Sequence, residues 1–138
     1  MPRTLIDTNI LVYFADKNDI VRHEKARVII KNVEKNPSAY VIAQQCLREF
    51  GNVMVNKNMP AVEINAYIQE FTFAFPDILS ESIGGLQRAV VSSRDDGVDF
   101  FDALLAYTAL DRDISIIYTE NTKDFEKIPG IKAVNPLK

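Results

Sequence analysis

The sequence predicts an α/β protein with a mainly parallel central sheet of four or five strands. Short runs of β-branched residues alternate along the chain with longer segments of helical periodicity, which is the pattern of repeated strand–helix units. The length of 138 residues suits one domain with one core, covering residues 1–138. A composition of 47% apolar and 25% charged residues indicates an ordinary globular chain and excludes a disordered one.

Four apolar runs predict the strands, because each is short, rich in β-branched residues and bounded by polar or turn-forming residues. They lie at residues 3–6, 39–42, 114–119 and 131–134. Each is followed by polar residues or by a change to helical periodicity. We therefore expect every strand to end where the chain leaves the sheet.

Six segments predict helices, because their apolar residues recur every three or four positions. They lie at 8–14, 21–35, 43–56, 58–76, a less regular stretch ending near 95–97, and 98–110. Thr8 or Asn9 can cap the first helix. Pro60 stands in the first turn of the fourth, where its missing N–H costs nothing. Residues 120–125 read as a polar loop or a short helix.

Charge and composition narrow the classes of function. The net charge of −3, from 19 acidic and 16 basic residues, argues against a broad basic surface that grips nucleic acid. It does not exclude a nuclease, since a bound cation would supply positive charge where phosphate binds. No apolar run reaches the ~18–20 residues of a membrane span. No secretory signal is expected in residues 1–30, and Cys46 as the single cysteine favours the cytoplasm.

Three acids in apolar or strand-end settings are the most informative residues. Asp7 interrupts the apolar run of residues 4–14 at the predicted end of the first strand. In an open parallel sheet that edge binds ligands, and a carboxylate buried there needs a partner or a cation. Asp102 stands near the start of an apolar helix, on a packing face. Asp124 follows the strand at 114–119, where Glu120 and Asn121 compete with it for the same role.

Glu49 lies on the polar stripe of its helix, where Gln45 and Asn52 could orient it or touch phosphate. Each acid also has a simpler interpretation. Asp7 could be only a cap or turn residue, and Glu49 only a solvated side chain. Asp99 followed three residues later by Asp102 resembles a capping pair. His23 is interpreted as structural or surface and Cys46 as a core residue.

Carboxylates that converge repel one another and are tolerated when a cation neutralises them. Oxygen ligands without cysteine or histidine select Mg²⁺ or Mn²⁺ over zinc. Such metals clamp phosphoryl oxygens and activate water for in-line attack. The acids together therefore favour a metal site that cleaves a phosphodiester.

Four segments resemble the PIN-domain nucleases, and within them the VapC-type toxins of toxin–antitoxin pairs. The segments are LIDTNIL at 5–11, QCLREF at 45–50, FFDAL at 100–104 and YTENTKDF at 118–125. They span nearly the whole chain in the family's order. The resemblance implies a three-layer α/β/α sandwich and a Mg²⁺- or Mn²⁺-dependent endoribonuclease acting on RNA such as tRNA, rRNA or mRNA. It also implies a homodimer and a cognate antitoxin that blocks the site.

The resemblance assigns the metal ligands and catalytic residues to Asp7, Glu49, Asp102 and, as the variable fourth acid, Asp124. Glu120 or Asn121 could share that fourth role. Residues that could support the ligands or phosphate are Thr8, Asn9, Gln45, Asp99 and Thr119. Arg48 and Lys123 could contact the RNA backbone or be solvated surface charges. Single-stranded or loop RNA is the expected target, because its bases can be splayed open.

Two other functions compete with a nuclease. A haloacid-dehalogenase-like phosphatase also begins with an acid after its first strand, but it needs a second acid two residues later, where this chain has Asn9. Thr119 could imitate that family's later threonine. A PIN-like module that binds RNA or protein without cutting is the other alternative. The retention of Asp7, Glu49 and Asp102 argues against it.

Overall fold

The computed structural model describes residues 2–138 and is built on a five-stranded sheet in which every pairing is parallel. The strands are β1 (Thr4–Ile6), β2 (Tyr40–Ala43), β3 (Ile78–Leu79), β4 (Ile116–Tyr118) and β5 (Lys132–Val134). Their order across the sheet is β3-β2-β1-β4-β5. The predicted α/β class and parallel sheet are confirmed.

The helices form two groups with the sheet between them. They are α1 (Thr8–Ala15), α2 (Ile20–Lys35), α3 (Gln44–Asn56), α4 (Ala61–Ala74), α5 (Ile83–Asp96), α6 (Phe100–Leu110) and α7 (Thr122–Glu126), with a 3₁₀ turn at Pro37–Ala39. Helices α1 to α4 pack on one another, and α6 packs on α5 and α7. This is the expected three-layer α/β/α arrangement. No helix within residues 2–138 combines the length and apolarity needed to cross a membrane.

The structure corrects two local predictions and adds one strand that was not predicted. The N-cap of α1 is Asp7 and not Thr8 or Asn9, which lie inside the helix. Pro60 is the N-cap of α4 and precedes its first turn. Strand β3 was missed, because a strand of two residues is too short to show periodicity.

A cluster of aromatic side chains packs α1, α3 and α4 against one another. Phe50 of α3 and Phe71 of α4 meet edge to face with ring centroids 5.1 Å apart, and Phe14 of α1 lies 5.7 Å from Phe71. Phe50 and Phe71 are fully buried, so the cluster contributes to the core as well as to geometry. Cys46 is buried in the same layer, as predicted. His23 is also buried, with its ring Nδ1 2.9 Å from the Tyr13 carbonyl oxygen.

The strand order determines where a site can form. The chain adds β2 and β3 on one side of β1 and then returns to add β4 and β5 on the other. In such a sheet the crevice for ligands opens beyond the carboxyl ends of the strands at the point where the order reverses. Asp7 follows β1 and Thr119 follows β4, so both residues lie at that point.

Candidate active site

Three hydrogen bonds hold the Asp7 carboxylate, two from the first turn of α1 and one from the residue that follows β4. Its Oδ1 accepts from the Thr8 backbone N–H at 2.7 Å, and its Oδ2 accepts from the Thr119 hydroxyl at 2.8 Å and from the Asn9 amide at 3.3 Å. The side chain is buried, with the residue 6% exposed. Desolvation raises the pKa of Asp7 to about 6 in spite of these bonds, and the charge of Glu49 adds to the rise.

Glu49 is joined to Asp7 through Thr8. The Thr8 hydroxyl donates to Glu49 Oε1 at 2.8 Å, while the Thr8 backbone N–H donates to Asp7. One residue in the first turn of α1 thus orients the carboxylate at the end of β1 and the carboxylate on α3. Thr8 was predicted as a supporting residue.

Asp102 lies in the first turn of α6, whose N-cap is Asp99. The Asp99 carboxylate accepts from the Asp102 backbone N–H at 3.1 Å, and the Asn121 amide donates to Asp102 Oδ2 at 3.1 Å. Burial is the largest cause that raises the pKa of Asp102 to about 7. Four neighbouring carboxylates add to it, those of Asp7, Asp99, Asp124 and Glu49. Asp99 therefore has the capping role that the spacing suggested.

The three acids line one open cleft of about 780 Å³. Its lining includes the predicted residues Asp7, Thr8, Asn9, Gln45, Arg48, Glu49, Asn52, Asp102 and Asn121. It also includes residues that sequence reasoning missed, namely Val12, Tyr13, Asp16, Val53, Lys57 and Phe101. Lys57 follows Glu49 by eight residues, so helical spacing alone could have placed it on the same face.

Glu120, Asn121 and Asp124 were the candidates for the fourth metal ligand. Of these, Asn121 forms a hydrogen bond with Asp102. Glu120 is engaged elsewhere, accepting from Arg22 Nε at 2.6 Å and from the Tyr13 hydroxyl at 2.9 Å. Asp124 lies on α7, and its carboxylate is 3.4 Å from Lys127 Nζ. Lys123 is exposed on the same short helix and lies outside the residues that line the cleft. The ligand roles of these residues stay predictions.

The chain matches the sequence model of a known protein family. The sequence model of the PIN domain matches residues 4–131. The chain belongs to the PIN-domain family. With that membership, and with the amide of Asn9 where a phosphatase of the haloacid-dehalogenase type needs an acid, the phosphatase alternative is set aside.

Solved structures share the fold of this PIN domain over most of its length. The DNA-bound VapBC complex of Salmonella typhimurium aligns over 99% of this chain and 99% of the other, with a TM-score of 0.72 and 20% identity. A toxin–antitoxin complex from Klebsiella pneumoniae covers 96% and 97%, with a TM-score of 0.63 and 26% identity. VapC20 of Mycobacterium tuberculosis, a sarcin–ricin-loop-cleaving toxin, covers 86% and 89%, with a TM-score of 0.67 and 15% identity. Curated protein sequences gave no match.

The donor set of this PIN domain suits a hard divalent cation. Carboxylate and amide oxygens are the ligands that Mg²⁺ and Mn²⁺ prefer, and the mutual repulsion at Asp102 is what a cation would relieve. Within residues 2–138, however, no three acidic, histidine or cysteine side chains already stand close enough together to enclose an ion. By residue type, Asp7, Glu49, Asp102 and Asn121 still offer the oxygen donors that such a cation takes.

Proposed function

We propose that this PIN domain is a divalent-metal-dependent endoribonuclease and the toxin of a type II toxin–antitoxin pair. The observation that carries the proposal is the convergence of Asp7, Glu49 and Asp102 on one cleft at the switch point of the sheet. Asp7 is buried and Asp102 and Glu49 are partly buried, so their carboxylates are costly together in a cleft without a function for their charge. Family membership and the resemblance to solved toxins support the reaction class.

The residues that would hold Mg²⁺ or Mn²⁺ are Asp7, Glu49 and Asp102, with Asn121 or Asp124 as a further oxygen donor. When bound, such a cation neutralises charge that develops on the phosphoryl oxygens. Thr8 and Thr119 keep the carboxylates of Asp7 and Glu49 in place through the hydrogen bonds described above. The chain's own contribution is therefore a pre-oriented set of acids.

Arg48 and Lys57 are the cations on the cleft wall that could contact an RNA backbone. Arg48 lies 3.5 Å from Glu81, and Lys57 lies 2.9 Å from Asp16. Both ion pairs are at the surface and are worth little in water, so exchange of either carboxylate for a phosphate costs little. Phe101 lines the cleft and is 55% exposed. An exposed aromatic ring beside basic side chains suits stacking on an unpaired base, which favours single-stranded or loop RNA over duplex.

The proposed partners are a cognate antitoxin, an RNA substrate and a second copy of the chain, and the proposed location is the cytoplasm. The neighbours from Salmonella and Klebsiella were solved as toxin–antitoxin complexes. The three acids are accessible from the cleft, so a bound protein segment could cover them. Such a segment would inhibit the enzyme until it is removed.

The test compares the wild type with Asp7→Asn and Asp102→Asn on total tRNA and on rRNA, with Mg²⁺ or Mn²⁺ and with EDTA. We expect discrete fragments from the wild type and none with EDTA. Cleavage by each variant should be slower by more than the ~10–100-fold that follows loss of a residue that only orients a ligand, because each variant loses a charged ligand itself. Asp113→Asn is the matched control. Asp113 is exposed and has a positive φ of 59° that asparagine adopts readily, so this variant should cut like the wild type.

Equal cleavage by the wild type and by Asp7→Asn, each persisting in EDTA, would show that the acids do not carry the activity. If none of the proteins cleaves any of the RNAs and the wild type does not bind Mn²⁺, the non-catalytic module is favoured instead.

A further inference from the structure

Gln45 is the most deeply buried amide side chain of the cleft. It lies in the first turn of α3 and is 3% exposed. Its Nε2 donates to the backbone carbonyl oxygen of Phe101 at 2.8 Å. Its Oε1 is buried and has no hydrogen-bond partner among the described residues. The orientation of the amide follows from the Phe101 bond, because only the NH₂ group can donate to a carbonyl oxygen.

The bond between Gln45 and Phe101 connects the two helices that carry Glu49 and Asp102. Glu49 is one turn after Gln45 on the same face of α3, and Asp102 directly follows Phe101. The two helices have different packing partners elsewhere. Helix α3 packs on α1, α4 and β2, whereas α6 packs on α5 and α7. The amide is thus a direct hydrogen-bonded connection between the helices that carry Glu49 and Asp102.

Stability alone does not account for a glutamine at this position. A buried acceptor without a partner is unfavourable, and an apolar side chain of the same shape would remove it. The Phe101 carbonyl oxygen would lose the Gln45 donor, but it lies in the first turn of α6 and also accepts an intrahelical bond. Against that, Glu49 and Asp102 carry like charges in one cleft and repel each other. This repulsion favours moving the two helices apart, and the hydrogen bond between Gln45 and Phe101 opposes that movement.

We propose that Gln45 is a positioning residue that fixes Asp102 relative to Glu49 so that both can bind one divalent cation. The proposal rests on the proposed metal-dependent function. It adds a residue whose role is exerted through the Phe101 backbone. Outer residues that orient metal ligands typically contribute 10–100-fold to metal affinity, and we expect a loss of that size when this connection is removed.

The test uses Gln45→Met, which keeps the length of the side chain and removes both polar atoms. Gln44→Met is the matched control, because Gln44 is the preceding residue of the same helix and is exposed. Free Mn²⁺ is followed by electron paramagnetic resonance during titration of each full-length protein, and thermal unfolding is recorded in EDTA. Gln45→Met should bind Mn²⁺ about 10–100-fold more weakly, with a Tm in EDTA close to that of the wild type, because the lost hydrogen bond and the removed orphaned acceptor have opposite effects. Gln44→Met should match the wild type in both.

The outcomes separate the two proposals. If the wild type does not bind Mn²⁺, the metal-dependent function fails and the role of Gln45 fails with it. If the wild type binds Mn²⁺ and Gln45→Met binds it equally well, only the positioning role is overturned. A fall in Tm that accompanies an unchanged affinity would make Gln45 a purely structural residue. If Gln45→Met does not fold, Gln45→Ala is measured in its place, with the same expected loss of affinity.

Discussion

At the scale of single residues, Asp7 combines two demands that oppose each other. Its carboxylate caps α1 and accepts from Thr119, which stabilises the fold. Its burial, together with the charge of Glu49, raises its pKa to about 6, so its charge is unfavourable in the metal-free chain at neutral pH. A side chain that costs stability at the working pH is typical of a functional site.

This cost predicts how the stability of the metal-free protein depends on pH. The folded-state pKa values of Asp7 and Asp102 are about 6 and 7, against 3.8 for an ordinary aspartate. At pH values between the ordinary pKa and these raised pKa values, the folded chain binds more protons than the unfolded chain. The free energy of unfolding therefore falls as the pH rises. From pH 5 to pH 8 we expect a loss on the order of 2 kcal/mol, discounted because Asp102 is partly exposed.

Urea unfolding in EDTA at pH 5 and pH 8 measures this loss. Asp16 and Asp19, whose pKa values are lowered by their hydrogen bonds, are already ionised at pH 5 and do not contribute to the difference. In Asp7→Asn the fall should be smaller, since the variant has no charge at this position. A wild type that is as stable at pH 8 as at pH 5 would contradict the burial of these charges.

At the scale of elements, helix starts bring the acids together. Asp7 ends β1 and begins α1, and Asp102 lies one turn into α6. The turn that leads into α6 is made by Gly97, whose φ of +70° ends α5 in the left-handed region that glycine adopts without strain. Asp99 then caps α6, which fixes the place of Asp102.

The cap predicts a stability effect that is separate from metal binding. Asp99→Ala should lower the free energy of unfolding by ~1 kcal/mol, because the Asp102 N–H loses its acceptor. Asp99→Ser removes the same negative charge but keeps an acceptor, and should recover most of the loss. Urea unfolding of the three proteins at one pH measures the difference. Equal stability of the alanine and serine variants would show that Asp99 does not act as a cap.

The elements themselves were largely predictable from the sequence, since the helical periodicity and the β-branched runs are strong. The predicted helix at 43–56 differs from α3 by one residue. The missed elements and ends are those decided by single side chains or by tertiary pairing. Strand β3 is defined by its pairing with β2, and the start of α1 depends on the hydrogen bond that the Asp7 side chain accepts.

At the scale of the whole molecule, a strand order that reverses at β1 brings residues 7, 49, 102 and 121 into one cleft. The sequence could predict that acids at strand ends and helix starts converge, because parallel strands share an edge. It could not choose among Glu120, Asn121 and Asp124, since that choice depends on how the segment after β4 turns. Nor did it identify the buried tie from Gln45 to Phe101, because the contact joins residues 56 positions apart.

The central claim is that Asp7, Glu49 and Asp102 form one divalent-cation site, and calorimetric titration with Mn²⁺ at pH 7.5 tests it most directly. The wild type and the Asp113→Asn control should bind Mn²⁺ with the same affinity. Asp7→Asn and Asp102→Asn should each bind at least ~10-fold more weakly, because each loses a carboxylate ligand. Undiminished binding by both variants would place any metal elsewhere and contradict the account.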